Sequence, residues 1–363
     1  MTTDNPTPPT PVTPDVTSTL HSSPFTLHSS PKDTLGRPLH DLRVSVTDRC
    51  NFRCTYCMPK EVFGRAHKFL DRDEILSLEE IARVARIFAG LGVEKIRLTG
   101  GEPTVRRGLT DLIRMLAGIG GLRDLTMTTN GTRLREMASE LRDAGLGRIT
   151  VSLDSLDDAV FRSMNDVDFP VSQVLEGIEA AHNAGFSPIK INVVARRGVN
   201  EASITEIPRR FRGPDYIVRF IEFMDVGATN GWRLDDVVPA AEILERLNAE
   251  MPIEPAHPNY RGEVARRWRF KDGGGEIGVI SSVTQPFCGD CTRARLSADG
   301  KLYTCLFAVR GHDLRTRLRS DATDEDIAAH LRTLWSRRTD RYSEQRTAGT
   351  PDLPKVEMSY IGG

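Results

Sequence analysis

The sequence predicts an α/β fold, a partial TIM-like (β/α)6 barrel followed by a C-terminal extension. Strand-like runs alternate with amphipathic helical patterns from Leu42 onward, as is typical of βαβ units in a parallel sheet. The periodicity changes after Met224, which indicates that a different structure follows the barrel. One triplet of cysteines stands in each part. In such a sheet, ligands are expected at the carboxyl ends of the strands.

Six strand patterns and the helices between them define the barrel. Ser77 and Glu80 form a capping box ahead of apolar residues at helical spacing, which predicts the start of the first helix. The strand patterns span residues 42–47, 95–99, 125–128, 149–153, 189–194 and 217–224. Further helical patterns span residues 109–116, 134–144 and 174–184.

Three regions are expected along the chain. Residues 1–34 are rich in Thr, Pro and Ser and predict a disordered arm, because such a composition cannot bury a core. Residues 35–236 are predicted to form the barrel. Residues 237–363 form the C-terminal region, with a short helix at 240–247, strand-like runs at 264–270 and 277–281, and a polar helix at 324–337.

Composition excludes several classes of protein. Hydrophobic residues make up 39% of the 363 residues and charged residues 27%, as in a globular protein. The formal net charge of -1 gives no overall attraction to nucleic acid, and no apolar run is long enough to span a membrane. Features of a signal or transit peptide are missing. Two odd-numbered groups of cysteines favour metal ligation in a reducing compartment, so we expect a cytoplasmic protein.

The barrel strands carry an apolar face and a polar face. In the fifth strand, Ile191 points away from its neighbours Lys190 and Asn192. Because the apolar face must pack against the helices, the polar face is predicted to line the barrel interior. Arg43, Arg97 and Lys190 would converge there, and such cations suit an anion with several charges. The alternative is that these strands are half exposed and their charges solvated.

The first cysteine triplet is a candidate metal centre. Cys50, Cys54 and Cys57 are spaced C-x3-C-x2-C in the loop after the first strand. Three thiolates complete neither a tetrahedral zinc site nor an ordinary [4Fe-4S] cluster, since each takes four protein ligands. A [4Fe-4S] cluster held by three cysteines leaves one iron open to a chelating ligand. The alternative is zinc completed by a distant residue such as His40 or His67.

The second triplet also lacks a fourth cysteine. Arg293 and Arg295 stand beside it, and their charge favours a phosphorylated ligand. This triplet predicts a second cluster with an open iron that faces the substrate. The alternatives are zinc completed by His312 and a purely structural cluster with some other fourth ligand. The spacing is C-x2-C-x13-C, formed by Cys288, Cys291 and Cys305.

Two glycine pairs mark further positions. Gly100 and Gly101 end the second strand, where they permit a tight turn and the close approach of a ligand to the backbone. Gly362 and Gly363 end the chain. This tail is either a frayed end, an activated terminus like that of ubiquitin, although no ubiquitin-like strand order precedes it, or a segment thin enough to enter a crowded site.

Together these motifs resemble the GTP 3',8-cyclase family of radical S-adenosylmethionine (SAM) enzymes, which act in molybdenum cofactor biosynthesis. The first motif alone indicates only the radical SAM superfamily, whereas the full set is specific. The resemblance runs from about Leu35 to Gly363 and rests on CNFRCTYCMP, RLTGGEP, TTNG, SLDS, KIN, RFIEFMD, GEIGVISSV, PFCGDCTRARLSADGKLYTC and the terminal GG. Other interpretations are a peptide-maturing radical SAM enzyme and a zinc scaffold or nucleic-acid adaptor.

The resemblance implies roles for individual residues. The [4Fe-4S] cluster that binds SAM is held by Cys50, Cys54 and Cys57. SAM itself is contacted by Tyr56, Gly101, Ser152 and Met224. GTP is contacted by Arg43, Arg97, Thr128, Lys190, Arg293 and Arg295. A second [4Fe-4S] cluster, whose open iron meets the guanine, is held by Cys288, Cys291 and Cys305.

The reaction implied by the resemblance is a radical cyclisation. A 5'-deoxyadenosyl radical formed from SAM takes hydrogen from C3' of GTP, and C3' then bonds to C8 of the guanine. The product is (8S)-3',8-cyclo-7,8-dihydroguanosine 5'-triphosphate. Arg43 is predicted to help deliver the final proton, because it is charged, faces the interior and lies near the first cluster. The resemblance further implies reduced flavodoxin or ferredoxin as electron donor, a homodimer and a downstream cyclic pyranopterin monophosphate synthase.

Overall fold

The computed structural model describes residues 30–346 and 355–362. The strands are β1 Asp41–Ser45, β2 Lys95–Thr99, β3 Asp124–Thr129, β4 Arg148–Ser152, β5 Ile189–Ala195, β6 Gly213–Glu222, β7 Ile253–Ala256, β8 Arg266–Phe270, β9 Gly275–Ile280, β10 Arg293–Leu296, β11 Lys301–Tyr303 and β12 His312–Asp313. The helices are α1 Leu78–Gly90, α2 Leu109–Ala117, α3 Leu134–Asp143, α4 Asp158–Asn165, α5 Val171–Asn183, α6 Ser203–Arg210, α7 Ala240–Glu250, α8 Arg315–Leu318, α9 Asp324–Ser336 and α10 Met358–Ile361.

The predicted partial (β/α)6 barrel is confirmed. Strands β1 to β6 are neighbours in chain order, and every adjacent pair is parallel. Each connection between them contains at least one helix, as a parallel crossover requires. The capping box at Ser77 and Glu80 is present at the start of α1, and its apolar stripe, which includes Val84 and Phe88, is buried.

The C-terminal region extends the barrel sheet at both edges. Strand β10 pairs in parallel with β1, and β9 pairs in parallel with β6. Among the described residues, the result is one twelve-stranded sheet in the order β12-β11-β10-β1-β2-β3-β4-β5-β6-β9-β8-β7. This arrangement places Arg293 and Arg295, on β10, beside the first strand of the barrel.

The hydrophobic core lies between the outer face of the sheet and the helices. The apolar members of the predicted strand faces are fully buried there together with the helix stripes. Helix α9, predicted to be polar, also buries one face in this core, including Leu331 and Trp335. The inward face of β1 to β5 is therefore left to polar residues, among them Arg43 on β1 and Arg97 on β2.

The predicted boundary of the N-terminal arm is wrong for residues 30–34. The Asp33 carboxylate is buried and pairs with Arg37 at 2.6 Å and with Arg338 at 3.3 Å, so this segment is fixed to the end of α9. The indole of Trp335 donates to the Arg37 carbonyl oxygen at 3.0 Å. Local composition could not predict these contacts, because Trp335 and Arg338 lie some three hundred residues further along the chain. The rest of the predicted arm, residues 1–29, lies outside the described residues.

Two helices that the sequence did not predict complete the barrel connections. Helix α6 contains Pro208, and an internal proline removes a backbone hydrogen bond and normally signals a helix end. Helix α4 has eight residues and is capped by Asp157, whose side chain accepts a hydrogen bond from the Val160 amide. In the part of the chain described here, no helix is long and apolar enough to cross a membrane.

Candidate active site

The polar faces of the barrel strands line one internal cavity. Its wall contains every residue predicted to act in the site. Arg97 is 7% exposed, so the alternative of half-exposed strands with solvated charges is wrong at this position. The members predicted from the sequence are Arg43, Cys50, Cys54, Tyr56, Cys57, Arg97, Gly101, Thr128, Ser152, Lys190, Met224, Cys288, Cys291, Arg293, Arg295 and Cys305.

One side of the cavity is apolar. Strand β6 presents Ile217 and Ile221 to the interior on the same face as Arg219, and β9 contributes Ile280, which is paired with Ile221. These side chains lie where the barrel meets the C-terminal region. The interior is therefore polar along β1 to β5 and mixed at β6, so a bound ligand meets cations on one side and aliphatic carbon on the other.

The glycine pair after β2 fixes the first cysteine loop. A Cβ on Gly100, whose φ is +141°, would lie 2.5 Å from the Thr47 carbonyl oxygen, and a Cβ on Gly101 would collide with the Arg49 backbone. The Gly101 amide donates to the Thr47 carbonyl at 2.9 Å. We expected these glycines to admit a ligand, whereas what approaches them here is the backbone that leads into Cys50. Contact between Gly101 and SAM stays a prediction.

The first cysteine triplet is suited to a cationic cluster. Cys54 accepts backbone hydrogen bonds from Cys57 and Met58, each at 2.9 Å, which folds the loop into a tight turn. Burial, reinforced by the charge of Glu102, raises the pKa of Cys50 to about 12. Burial and the neighbouring sulfurs likewise raise the pKa of Cys54. These thiols therefore ionise readily only when positive charge is bound beside them.

The second triplet has a different electrostatic environment. Burial opposes ionisation of Cys291, but Arg293 and Arg338 outweigh it and lower the pKa of this thiol to about 6. The Arg293 guanidinium donates to the Cys291 sulfur at 3.3 Å. Burial and Asp340 raise the pKa of Cys305 to about 12. The triplet thus has one thiol of lowered pKa beside the Arg293 guanidinium, which also borders the cavity.

Single-ion sites are not found among the described residues. No group of three or more His, Cys, Asp or Glu side chains there could hold one metal ion. A cubane distributes its thiolates over different irons, so its ligands surround a space rather than a point. Both triplets border the cavity and are free of disulfides. Their donor set therefore fits two [4Fe-4S] clusters, each held by three cysteines.

The cavity concentrates positive charge. Burial, together with Arg293 and Arg97, lowers the pKa of Arg43 to about 9. Burial and Arg219 lower the pKa of Lys190 to about 6. Because like charges disfavour one another here, an anion with several charges would relieve the repulsion. Arg97 is held in place by hydrogen bonds to Thr128 at 2.9 Å and to a second strand hydroxyl at 3.1 Å.

Several cavity residues were not among the predicted site residues. Lys95 lies two positions before Arg97 and donates to the Tyr260 hydroxyl at 3.1 Å, and Arg219 donates to Asn192 at 3.0 Å. Both follow from the strand alternation that identified Arg97 and Lys190. Tyr260 lies in a loop of the C-terminal region, and no sequence pattern places it in the barrel.

A buried carboxylate accompanies the predicted SAM contacts. The Tyr56 hydroxyl donates to Asp154 at 2.7 Å, and the Val194 amide donates to the same side chain at 2.8 Å. Burial raises the pKa of Asp154 to about 6, against the effect of these hydrogen bonds. Asp154 follows Ser152 by two residues and continues the polar alternation just beyond the end of β4, so the alternation again could have identified it.

The C-terminal tail enters the cavity. The Arg295 guanidinium donates to the Gly362 carbonyl oxygen. Gly362 has a φ of +74°, and a Cβ there would collide with the Thr99 hydroxyl. Of the three alternatives for the tail, the structure supports entry into a crowded site; a frayed end is wrong for Gly362, and Gly363 lies outside the described residues.

One buried carboxylate holds the segments that lead to this tail. Asp225, just after β6, accepts a hydrogen bond from the Tyr342 hydroxyl at 2.7 Å. It also pairs with Arg346 at 2.7 Å and with Lys355 at 3.0 Å. Burial disfavours the charged form of Asp225, but these partners outweigh that effect and lower its pKa. No local sequence pattern predicted this anchor, because its members are more than a hundred residues apart.

Comparison with known proteins agrees with this arrangement. The model of the Radical SAM superfamily matches residues 44–210, and the model of Molybdenum Cofactor Synthesis C matches residues 216–344. The crystal structure of Streptococcus suis SuiB bound to S-adenosylmethionine has a similar fold, with a TM-score of 0.56 at 12% identity over 81% of this chain and 68% of that one.

Relatives with much higher identity are also found. A GTP 3',8-cyclase of Acidothermus cellulolyticus is 54% identical, and the match covers 92% of this chain and 99% of the relative. A GTP 3',8-cyclase of Xanthomonas campestris is 51% identical over 92% of this chain and 97% of the relative. One from Staphylococcus aureus is 49% identical over 92% and 98%, respectively. The chain therefore belongs to the GTP 3',8-cyclase family of radical SAM enzymes.

Proposed function

We propose that this enzyme cyclises GTP to (8S)-3',8-cyclo-7,8-dihydroguanosine 5'-triphosphate, a lyase reaction of molybdenum cofactor biosynthesis. The observation that carries the proposal is that two incomplete cysteine triplets and a wall of cations share one cavity. A radical enzyme needs its cofactor and substrate in contact, and this cavity offers room to both. The names of the relatives support the same reaction.

The two parts of the chain divide the ligands between them. In this proposal the barrel, residues 35–236, holds SAM and its cluster through Cys50, Cys54 and Cys57. The C-terminal region, residues 237–363, supplies the second cluster through Cys288, Cys291 and Cys305. GTP lies between them, since Arg43, Arg97, Thr128 and Lys190 come from the barrel and Arg293 and Arg295 come from β10.

The chain's own residues position and neutralise the ligands. When bound, the first cluster and SAM supply the radical that takes hydrogen from C3' of the ribose. The strand cations bind the triphosphate, which fixes the ribose and the base relative to the barrel. Tyr56, Gly101, Ser152 and Met224 contact SAM on the other side of the cavity. Asp154 holds the Tyr56 ring in place through its 2.7 Å hydrogen bond.

Arg43 is the proposed source of the final proton. In the enzyme without GTP, burial beside Arg293 and Arg97 lowers the pKa of Arg43 to about 9, so its guanidinium is a stronger acid there than that of an ordinary arginine. We expect Arg43→Ala to release little cyclised product although SAM is still cleaved, and Arg43→Lys to restore part of the product. Quantifying 5'-deoxyadenosine and product in the same reaction measures the ratio. Product formation by Arg43→Ala at the wild-type rate would remove this role.

GTP binding is expected to take up a proton at Lys190. With its pKa near 6, the Lys190 amine is largely neutral at about pH 8 in the free enzyme, and neighbouring phosphate oxygens raise that pKa again. The complex then holds more protons than the free components. GTP affinity should therefore fall as the pH rises, by up to about 10-fold per pH unit.

Calorimetry in two buffers of different ionisation enthalpy measures this uptake directly. The observed heat should differ between buffers for the wild-type enzyme and agree between them for Lys190→Met. Equal heats for the wild-type enzyme would show that GTP binding takes up no proton at Lys190.

The proposal extends to the partners of the reaction. A low-potential carrier, reduced flavodoxin or ferredoxin, supplies the electron, and a cyclic pyranopterin monophosphate synthase consumes the product. The enzyme acts as a homodimer in the cytoplasm, where reducing conditions keep its cysteines available to the clusters.

The direct test is anaerobic turnover with GTP, SAM and a chemical reductant. The reconstituted enzyme should contain about eight irons per chain and convert GTP to a product of the same mass with 5'-deoxyadenosine as co-product. Cleavage of SAM without any change in GTP would contradict the proposed substrate.

A further inference from the structure

A basic surface lies directly outside the first cysteine triplet. The formal net charge of the whole chain is -1, yet residues 49–69 contain five basic residues and one acidic residue, Glu61. We refer to the exposed part of this segment as the basic loop surface. Its basic members are Arg49, Arg53, Lys60, Arg65 and Lys68.

Aromatic rings form a groove within the basic loop surface. The His67 ring lies 4.7 Å from that of Phe63 and 4.6 Å from that of Phe69. The guanidinium groups of Arg49 and Arg53 each lie 5.6 Å from the centre of the Phe69 ring, so the rings hold these cations in defined positions. Arginine and aromatic residues are both enriched at protein interfaces.

The outer part of the surface combines exposed charged groups with an exposed apolar side chain. Arg65 and Lys68 are exposed, and Val62 is 45% exposed. Lys60 pairs with Asp166 at 2.7 Å and Lys68 pairs with Asp71 at 3.5 Å, but both lysines stay largely open to solvent. An incoming acidic surface could therefore replace these weak surface pairs.

A single side chain connects the groove to the cysteine loop. The Arg53 guanidinium donates to the Cys50 carbonyl oxygen at 2.8 Å and to the Phe63 carbonyl oxygen at 2.7 Å. The groove also includes Lys60, which follows Cys57 by three residues. The triplet thus faces the cavity on one side and lies next to the basic loop surface on the other.

Resting on the function proposed above, we propose that the basic loop surface is the docking site for a small acidic flavodoxin. The reaction requires one electron at the first cluster, and the cavity side of that cluster is occupied by SAM and GTP. The electron must then enter from outside, where this surface lies. One electron passes from the flavin hydroquinone to the oxidised cluster, and the flavin becomes a semiquinone.

Charge reversal of the surface tests this proposal. In the double variant Arg65→Glu, Lys68→Glu, we expect the Kd for a bacterial flavodoxin to rise roughly 10- to 100-fold at low salt, measured by calorimetry. Flavodoxin-driven SAM cleavage should fall in parallel at limiting flavodoxin. Turnover with dithionite should stay within about 2-fold of wild type, because neither side chain contacts the cavity.

Matched controls separate this effect from a general change in charge. The double variant Lys271→Glu, Arg337→Glu alters the net charge by the same amount at exposed positions outside residues 49–69, and it should bind flavodoxin as the wild type does. The milder Arg65→Gln should weaken binding in the same direction. Raising KCl from about 50 to about 300 mM should slow flavodoxin-driven turnover of the wild type and leave dithionite-driven turnover unchanged.

The outcomes distinguish this proposal from the proposed function. Unchanged flavodoxin binding and reduction in the Arg65→Glu, Lys68→Glu variant, or no salt dependence in the wild type, would overturn the docking site while dithionite-driven cyclisation remained. Absence of cyclised product with dithionite in the wild type would instead overturn the proposed function.

Discussion

Cys57→Ser and Cys305→Ser are each expected to lose about four irons per chain and to fail at different stages of the reaction. Cys57 is the last cysteine of the first triplet, in the loop between β1 and α1. Cys305 is the last cysteine of the second triplet, in the C-terminal region. Without the first cluster no SAM is cleaved. Without the second, SAM is still cleaved but the purine is no longer positioned, so the yield of cyclised product per 5'-deoxyadenosine falls.

Iron analysis and simultaneous measurement of 5'-deoxyadenosine and product separate these outcomes. Each variant serves as the control for the other, because both remove one partly buried thiol from a cavity wall. Loss of SAM cleavage in both variants would show that the two triplets do not have separate roles. Retention of eight irons in either variant would show that the substituted cysteine is not a ligand.

Gly362→Ala is expected to lower kcat by about 100-fold, because it displaces the tail from the cavity. The added Cβ would collide with Thr99, and the positive φ of this residue is strained for alanine. Arg295 would lose the carbonyl oxygen to which it donates. Iron content and the melting temperature should remain close to those of the wild type, since the tail is not part of the hydrophobic core between the sheet and the helices.

A second glycine provides the matched control. Gly273 also has a positive φ, +80°, but a Cβ there meets nothing within 4 Å. Gly273→Ala should therefore cost about 1 kcal/mol of stability and leave kcat unchanged. Asp225→Asn should behave like Gly362→Ala, because it weakens the pairs with Arg346 and Lys355 that hold the tail. Full activity of Gly362→Ala would mean that the tail does not contribute to the reaction.

Local patterns predicted the barrel because its strands are defined by alternation. A polar residue at every second position, such as Arg97 and Lys190, indicated both the strand and the side that faces the cavity. The same alternation contained Lys95, Arg219 and Asp154, which were not included among the site residues. The two cysteine triplets could be recognised from their spacing alone, since the members of each triplet lie within a short segment.

Contacts between distant segments were beyond these patterns. The pairing of β10 with β1 joins residues about 250 positions apart, and nothing in either segment specifies the other. The same holds for Asp225 with its anchors and for Asp33 with Arg338. Gly101 was recognised from its motif, but the group that packs against it is the Arg49 backbone and not a ligand. The sequence could not show this, because a glycine does not indicate which group approaches it.

Turnover of GTP deuterated at C3' tests the central claim most directly. If the two triplets and the cations bring SAM and GTP together in one cavity, deuterium will move from C3' into 5'-deoxyadenosine, and the cyclised product will lack it. Formation of unlabelled 5'-deoxyadenosine, with GTP keeping its deuterium at C3', would contradict the account.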